Sequence, residues 1–318
     1  MMGPVDAVAS GVELQELAKR YGPVEAVRGL SLEIRAGETF GLLGPNGAGK
    51  TTSLAMLSTL LRPSGGDARV FGHSLRQQVS AVRRVVGLTP QEIALYPDLS
   101  GEENLRFFGK LHGVGGRDLD ARVAELLDLV GLTPRGRDPL RAYSGGMKRR
   151  LNLACSLVHG PKLLLLDEPT VGVDPQSRER IFSAIREIAA SGTTVLYTTH
   201  YMEEAEKLCD RIAIMDEGRL LAVGTLPELL ETVGIGEVVE IGSALPPAAL
   251  RHLETIAGVT RVDVSEATTR VFADSAARVL GPIGAFLLEQ GRHAEGLQVY
   301  AVNLDRVFMH LTGKELRD

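Results

Sequence analysis

The chain has 318 residues, 44% of them hydrophobic and 24% charged, the balance of a folded protein with room for one large and one small domain. A formal net charge of −5 and an isoelectric point near 5.9 leave no domain-wide basic face to displace counterions, so nucleic acid is not expected as an obligate partner. Two cysteines, Cys155 and Cys209, make no disulfide lattice or metal framework and fit a reducing compartment. No apolar run approaches the roughly 18 residues that span a bilayer, so the chain is expected to be soluble, with any membrane path supplied by another polypeptide.

Residues 12–17 and 30–34 alternate apolar and polar side chains, as half-buried antiparallel strands do. Tyr21 stands before Gly22 at the end of the first. Residues 39–43 form a continuous apolar strand that runs into Gly44-Pro45-Asn46-Gly47-Ala48-Gly49-Lys50-Thr51-Thr52, and Leu54, Leu57 and Leu61 then recur at helical spacing. Strand, glycine-rich loop and helix in that order are the context a phosphate-binding loop requires. Residues 85–89 make another strand, stopped by Pro90 and followed by Gln91.

From residue 92 to about 160 the pattern turns helical, with one apolar stripe at Leu119, Val123, Leu126, Leu127 and Val130. Pro134 and Pro139 break the chain ahead of Tyr143-Ser144-Gly145-Gly146-Met147, which opens a basic helix. Residues 163–166 and 193–198 read as buried parallel strands with a helix at 176–190 between them. The first strand ends in Asp167-Glu168 and the second leads to His200. Residues 211–215 and 219–223 flank Asp216-Glu217-Gly218 as a hairpin.

Past about residue 230 the style changes. Short strands fit at 237–241, 260–264, 269–272 and 297–300, and helices at 247–256 and 275–289, a βαββαβ order that is ferredoxin-like. A last helix fits at 304–311.

Moving a phosphoryl group to water is mainly a matter of positioning and charge stabilisation. Glycines 44, 47 and 49 let backbone N–H groups curl around phosphates, Lys50 neutralises their charge, and the Thr51 hydroxyl is the expected ligand of Mg²⁺. Asp167, at the carboxyl end of a buried strand, is placed to hold Mg²⁺ through water, and Glu168 is the candidate general base. Gln91 is placed to touch both metal and attacking water, and His200 to donate to the γ-phosphate. His73, His112, His159, His252, His293 and His310 have no such context and are assigned no chemistry.

Ser-Gly-Gly-Met about twenty residues before Asp-Glu, with Gln91 and His200 in order, resembles the signature of ATP-binding cassette (ABC) ATPases. The resemblance covers roughly residues 12–230. It implies an α/β phosphate-loop ATPase domain with a mixed sheet core, an antiparallel β subdomain and a helical subdomain at about 92–160. The expected spans are 8–230 for this domain and 231–318 for a small α+β, ferredoxin-like domain that aids assembly or regulation. In that family Tyr21 stacks on adenine. Ser144, Gly145 and Gly146 close over the γ-phosphate held by a partner chain, and Asp174 lies in the loop that communicates across the interface. ATP and Mg²⁺ are the implied cofactors, and a head-to-tail homodimer and a separate membrane permease the implied partners, at the cytoplasmic face of the cell membrane.

Tyr143 and Met147 depart from the commoner Leu and Gln. With Met147-Lys148-Arg149-Arg150-Leu151-Asn152, Asp174-Pro175-Gln176-Ser177-Arg178 and residues 304–313, they are similar to the branch called daunorubicin-resistance-like, which powers exporters of drugs, polyketides and polysaccharides. An importer subunit and a non-transport ATPase of DNA repair or translation are the alternatives; the latter usually carry a long coiled-coil insertion, a tandem second domain or basic arms. Leu95, Tyr96, Phe107 and Phe108, just after Gln91, are the candidate anchors of a groove for a short permease helix, although Phe107 and Phe108 cannot both face one groove.

Overall fold

The computed structural model describes residues 10–232, 237–265, 267–273, 275–292, 296–300 and 303–313. His293 and the remainder of the two expected spans lie outside these. The chain divides into two units, the first ending at Thr225 and the second beginning at Leu226.

In chain order the first unit contains β1 (Ser10–Tyr21), β2 (Val24–Arg35), β3 (Thr39–Leu43), α1 (Lys50–Leu57), β4 (Gly65–Val70), β5 (His73–Ser74), α2 (Val79–Val85) and β6 (Val86–Thr89). It continues with α3 (Gly101–Leu111), α4 (Gly116–Leu129), α5 (Gly145–Leu157), β7 (Leu163–Asp167), α6 (Pro175–Ala190), β8 (Thr194–Thr199), α7 (Met202–Leu208), β9 (Arg211–Asp216) and β10 (Arg219–Gly224).

Two sheets result. The larger has the order β10-β9-β3-β8-β7-β6; its members run parallel except for the antiparallel edge β10. The smaller is antiparallel, in the order β2-β1-β4-β5. The run of four leucines in β7 is explained by burial on both faces: Leu164 and Leu166 enter one core with α3, α4, α5 and α6, while Leu163 and Leu165 enter the other with the antiparallel sheet and α1. Because β3, β7 and β8 are parallel neighbours, their carboxyl ends deliver the glycine-rich loop, Asp167-Glu168 and His200 to one rim.

Helix starts in this unit follow their capping residues. Ser100 and Glu103 form a reciprocal capping box at α3. The Ser144 hydroxyl accepts from Met147 N at α5, and the Asp174 carboxylate from Ser177 N at α6, where Pro175 occupies the first turn. Cys155 is buried in the helical core, and the Cys209 thiol packs so close to Gly41 that a Cβ there would lie 2.8 Å from its Sγ. Burial pushes both thiols well above the usual cysteine range.

The second unit comprises α8 (Leu226–Thr232), β11 (Glu237–Ile241), α9 (Pro247–Glu254), β12 (Val259–Val264), β13 (Thr269–Ala273), α10 (Ala276–Glu289), β14 (Leu297–Tyr300) and α11 (Leu304–Thr312). Its antiparallel sheet has the order β12-β13-β11-β14, the ferredoxin-like arrangement that βαββαβ implies. Val239, Ile241, Val271 and Ala273 form a core with Leu253 of α9 and Val279, Ile283 and Phe286 of α10.

Candidate nucleotide site

The loop between β3 and α1 is shaped by close approach as much as by turning. A Cβ on Gly44 would lie 2.2 Å from the carbonyl oxygen of Met215, and one on Gly49 would lie 2.5 Å from that of Ala26 with φ at +100°. Only glycine fits either position. The loop and α1 start line a cavity of about 210 Å³ formed by Asn46, Gly47, Ala48, Gly49, Lys50, Thr51 and Thr52 with Ala26, Gln91 and Glu168.

Lys50 is buried and its ammonium donates to the carbonyls of Gly44 at 2.7 Å and Pro45 at 3.1 Å. It also pairs with Glu168 Oε1 at 3.1 Å. The same oxygen lies 3.1 Å from His200 Nδ1, and the Gln91 amide donates to Glu168 Oε2 at 3.3 Å. Glu168 sits at φ +44°, a left-handed backbone unusual for a residue with a side chain and common where a site fixes a group against local preference. Its backbone N–H is held by the Thr198 hydroxyl at 3.1 Å.

The two neighbouring acids titrate in opposite directions. Burial would raise Glu168, but the His200 hydrogen bond and the Lys50 charge outweigh it and hold its carboxyl below the usual range. Burial dominates at Asp167 and raises it, although Thr198 and Thr51 donate to its Oδ1 at 2.8 and 3.1 Å. Two carboxylates pushed apart by their surroundings are suited to different tasks. Glu168 is the more readily ionised of the two. Asp167, with the Thr51 hydroxyl against it and the Gln91 amide across the cavity, belongs to a set of oxygen donors of the hard kind that suits Mg²⁺.

The other expected residues lie elsewhere. Ser144, Gly145 and Gly146 do not line this cavity. Gly146 instead packs on α6: a Cβ there would lie 2.2 Å from Ser177 Oγ and 3.1 Å from Asp174 Oδ2. Asp174 acts as the α6 cap. Tyr21 is half-exposed at the end of β1 with the Lys19 ammonium 5.3 Å from its ring, and it too is outside the cavity lining.

Arg149, on the helix that Ser144 opens, donates to the main-chain oxygen of Gln91 and, at 3.5 Å, to that of Val171. Thr198, Thr170 and Glu204, which the sequence did not single out, complete the buried polar surroundings. Their signal was weak, because threonine suits any strand and Glu204 sits in a run that reads as an acidic helix face.

A second cleft of about 280 Å³ lies between β6 and the helical part, lined by Pro90, Ala94, Phe108, His112, Cys155 and His159 among others. Tyr96, Phe107 and Phe108 form one aromatic cluster, with ring centroids 4.5 to 6.1 Å apart. Of these three, Phe108 lines the cleft.

The ABC transporter family model matches residues 27–171, which hold the glycine-rich loop, Gln91, the Ser-Gly-Gly-Met segment and Asp167-Glu168. The linearmycin resistance ATP-binding protein LnrL of Bacillus subtilis is 42% identical over 311 residues, covering 96% of this chain and 100% of that protein. This chain belongs to the ABC transporter ATP-binding proteins. Daunorubicin resistance ATP-binding protein DrrA3 of Streptomyces coeruleorubidus is 44% identical, covering 94% of this chain and 95% of that one. Nod factor export ATP-binding protein I of Ralstonia nicotianae is 42% identical, over 96% and 95%.

Among solved structures, an ATP-binding subunit of an ABC transporter matches with TM-score 0.65 and 29% identity, over 70% of this chain and 93% of that one. Clostridium perfringens cbiO1, part of the cbiONQ transporter complex, matches with TM-score 0.63 and 28% identity, over 71% and 94%. The full-length relatives place the chain in the drug-resistance branch of this family.

Proposed function

We propose that the chain is the ATP-hydrolysing subunit of a membrane exporter, binding at the cytoplasmic face to a permease encoded as a separate polypeptide. The branch supports export, since its members confer resistance to linearmycin and daunorubicin or export Nod factor. The geometry that carries hydrolysis is the convergence of Lys50, His200 and Gln91 on the carboxylate of Glu168 at the mouth of the phosphate loop.

In this reading the loop amides and Lys50 bind the phosphates of ATP, and Thr51, Asp167 and Gln91 would hold Mg²⁺. Bound Mg²⁺ supplies positive charge to the phosphate oxygens. Glu168 accepts a proton from the attacking water at its Oε as the new O–P bond forms and the bond to the β-phosphate bridging oxygen breaks. Its depressed pKa keeps it ionised for that step at neutral pH. His200 and Gln91 orient the participants. Tyr21, in this reading, contacts adenine.

The Ser144 start of α5 offers free N–H groups and a positive dipole end but does not line the chain's own cavity. A second copy, packed head to tail, brings it over the γ-phosphate, and Asp174 then lies near the shared interface. The cleft beside Phe108 is the proposed seat of a permease helix, with Tyr96 supporting its aromatic wall. The second unit serves assembly or regulation.

Phosphate release from Mg-ATP tests the reading. General base catalysis contributes about 10²–10⁴-fold, so Glu168→Gln is expected to lose that much turnover while binding ATP normally. Wild-type turnover in that variant would remove Glu168 from the base role. Tyr96→Ala and Phe108→Ala are expected to weaken copurification with the permease, and unchanged recovery would remove the cleft from that interface.

A further inference from the structure

Glu204, on α7, is buried to 3% exposure and plays no part in the scheme above. Its carboxylate accepts three hydroxyl hydrogen bonds: from Thr170 at 2.7 Å on Oε1, and from Tyr197 at 2.9 Å and Thr199 at 2.8 Å on Oε2. The nearby cation, Arg178, stands back at 3.8 Å and is 40% exposed. Burying a carboxylate is costly unless its hydrogen bonds repay the lost hydration, and an apolar side chain would fill the same space without that cost.

The donors are distinctive in position. Thr199 directly precedes His200, and its hydroxyl also accepts from the Tyr201 backbone N–H at 2.9 Å, so it is bonded on both sides of the turn that presents the His200 ring. Thr170 lies two residues past Glu168, whose backbone is in the left-handed region at φ +44°. Thr170 also opens the stretch that leads through Val171 to the α6 cap at Asp174. Tyr197 belongs to β8, which ends at the residue before His200, and its hydroxyl lies 3.3 Å from that of Thr170. One carboxylate thus ties the segment after Glu168 to the segment before His200, while Glu168 Oε1 and His200 Nδ1 meet at 3.1 Å.

We infer that Glu204 is a positioning residue for ATP hydrolysis, holding His200 against Glu168 and fixing the path of the loop toward Asp174. The inference rests on the roles proposed above for Glu168 and His200. It makes Glu204 important for turnover but not for the loading of nucleotide, because Lys50 and the glycine-rich loop are held by other contacts.

The test is a double-mutant cycle on the full chain, with its permease present where the chain alone is slow. Phosphate release and KM for Mg-ATP are measured for wild type, Glu204→Gln, His200→Ala and the double variant, using single turnovers for the slowest. Residues that orient metal-ligating side chains typically contribute about 10–100-fold to activity, and by analogy Glu204→Gln is expected to lower kcat at least about tenfold. KM should stay within about twofold, and in the His200→Ala background the added loss should shrink to about twofold or less, the mark of residues acting as a unit.

An equal loss in both backgrounds, a rise in KM without a fall in kcat, or unchanged kcat would overturn the inference. Should Glu204→Gln fold poorly, Thr199→Val and Thr199→Ser carry the same test, the serine being expected to restore the rate that valine removes. A rate lost equally in valine and serine would count against the inference. Glu168→Gln is run alongside. Full turnover in that control would indict the base assignment and would be distinguishable from failure of the Glu204 effect.

Discussion

Asp167 and Glu168 are adjacent in sequence and opposite in electrostatic condition, and the difference makes a testable statement about stability. Burial raises Asp167, so its ionisation disfavours the folded chain. The contribution favours the fold below the ordinary aspartate range and is lost as pH rises through the raised value. Asp167→Asn is therefore expected to melt higher than wild type at pH 7 without nucleotide, the gap closing toward pH 3, while its Mg²⁺-dependent turnover falls. A melting temperature at or below wild type would contradict the assigned burial cost. Glu168 has the opposite sign. Its lowered carboxyl favours the fold above the ordinary glutamate range and loses that contribution as pH falls through its depressed value.

Lys50, Thr51, Gln91, Asp167, Glu168 and His200 were legible because spacing and strand ends announce them. Thr198 and Glu204 were not, because their meaning comes from which hydroxyls and carboxylates burial forces together. Sequence periodicity does not carry that information.

Among the elements, α5 and α6 show how a motif can have a packing reason as well as a chemical one. Gly146 is seated on Ser177, so Gly146→Ala should cost about 1–3 kcal/mol through overpacking, read as a lower denaturant midpoint, with Ser177→Gly recovering part of it. No change would mean that α5 shifts freely on α6. The pair His112 and His159 makes a second case. Their rings stack with centroids 4.0 Å apart, and His159 Nε2 lies 3.1 Å from the Val86 carbonyl oxygen.

Burial, reinforced by His112, lowers His159 to about 4. A depressed histidine favours the fold above its unfolded value and loses that contribution as pH falls toward the folded one. The wild-type melting temperature should therefore drop more steeply than that of His159→Gln between about pH 6.5 and 4. Parallel curves would show that His159 does not stay neutral in the fold. The long helices and buried parallel strands were readable from their stripes and leucine runs. β4 and β5 were not, since one opens on Gly65-Gly66 and the other has two residues, so both owe their existence to pairing with β1 and each other.

For the whole molecule, the phosphate loop and the Ser144 helix start belong to one chain yet do not share a cavity. Glu168→Gln protein should therefore shift from monomer to dimer on adding Mg-ATP, as followed by light scattering, and Ser144→Arg should abolish the shift. A mass indifferent to both would place the dimer contacts outside the ATP site. The second unit was legible as an order of strands and helices because its apolar pattern repeats at short spacing; its role is not written in any chemical motif.

The thiols of buried Cys155 and half-buried Cys209, both shifted upward, have a practical corollary. Both are poor nucleophiles in the folded chain, so the native protein already serves as a quiet background for thiol labelling. Asn46 is exposed, and Gly145 has open space where a side chain would stand. Asn46→Cys and Gly145→Cys would thus introduce the fast-reacting sulfurs of the molecule, and an ATP-dependent crosslink between copies would give a direct, time-resolved gauge of the head-to-tail closure proposed above.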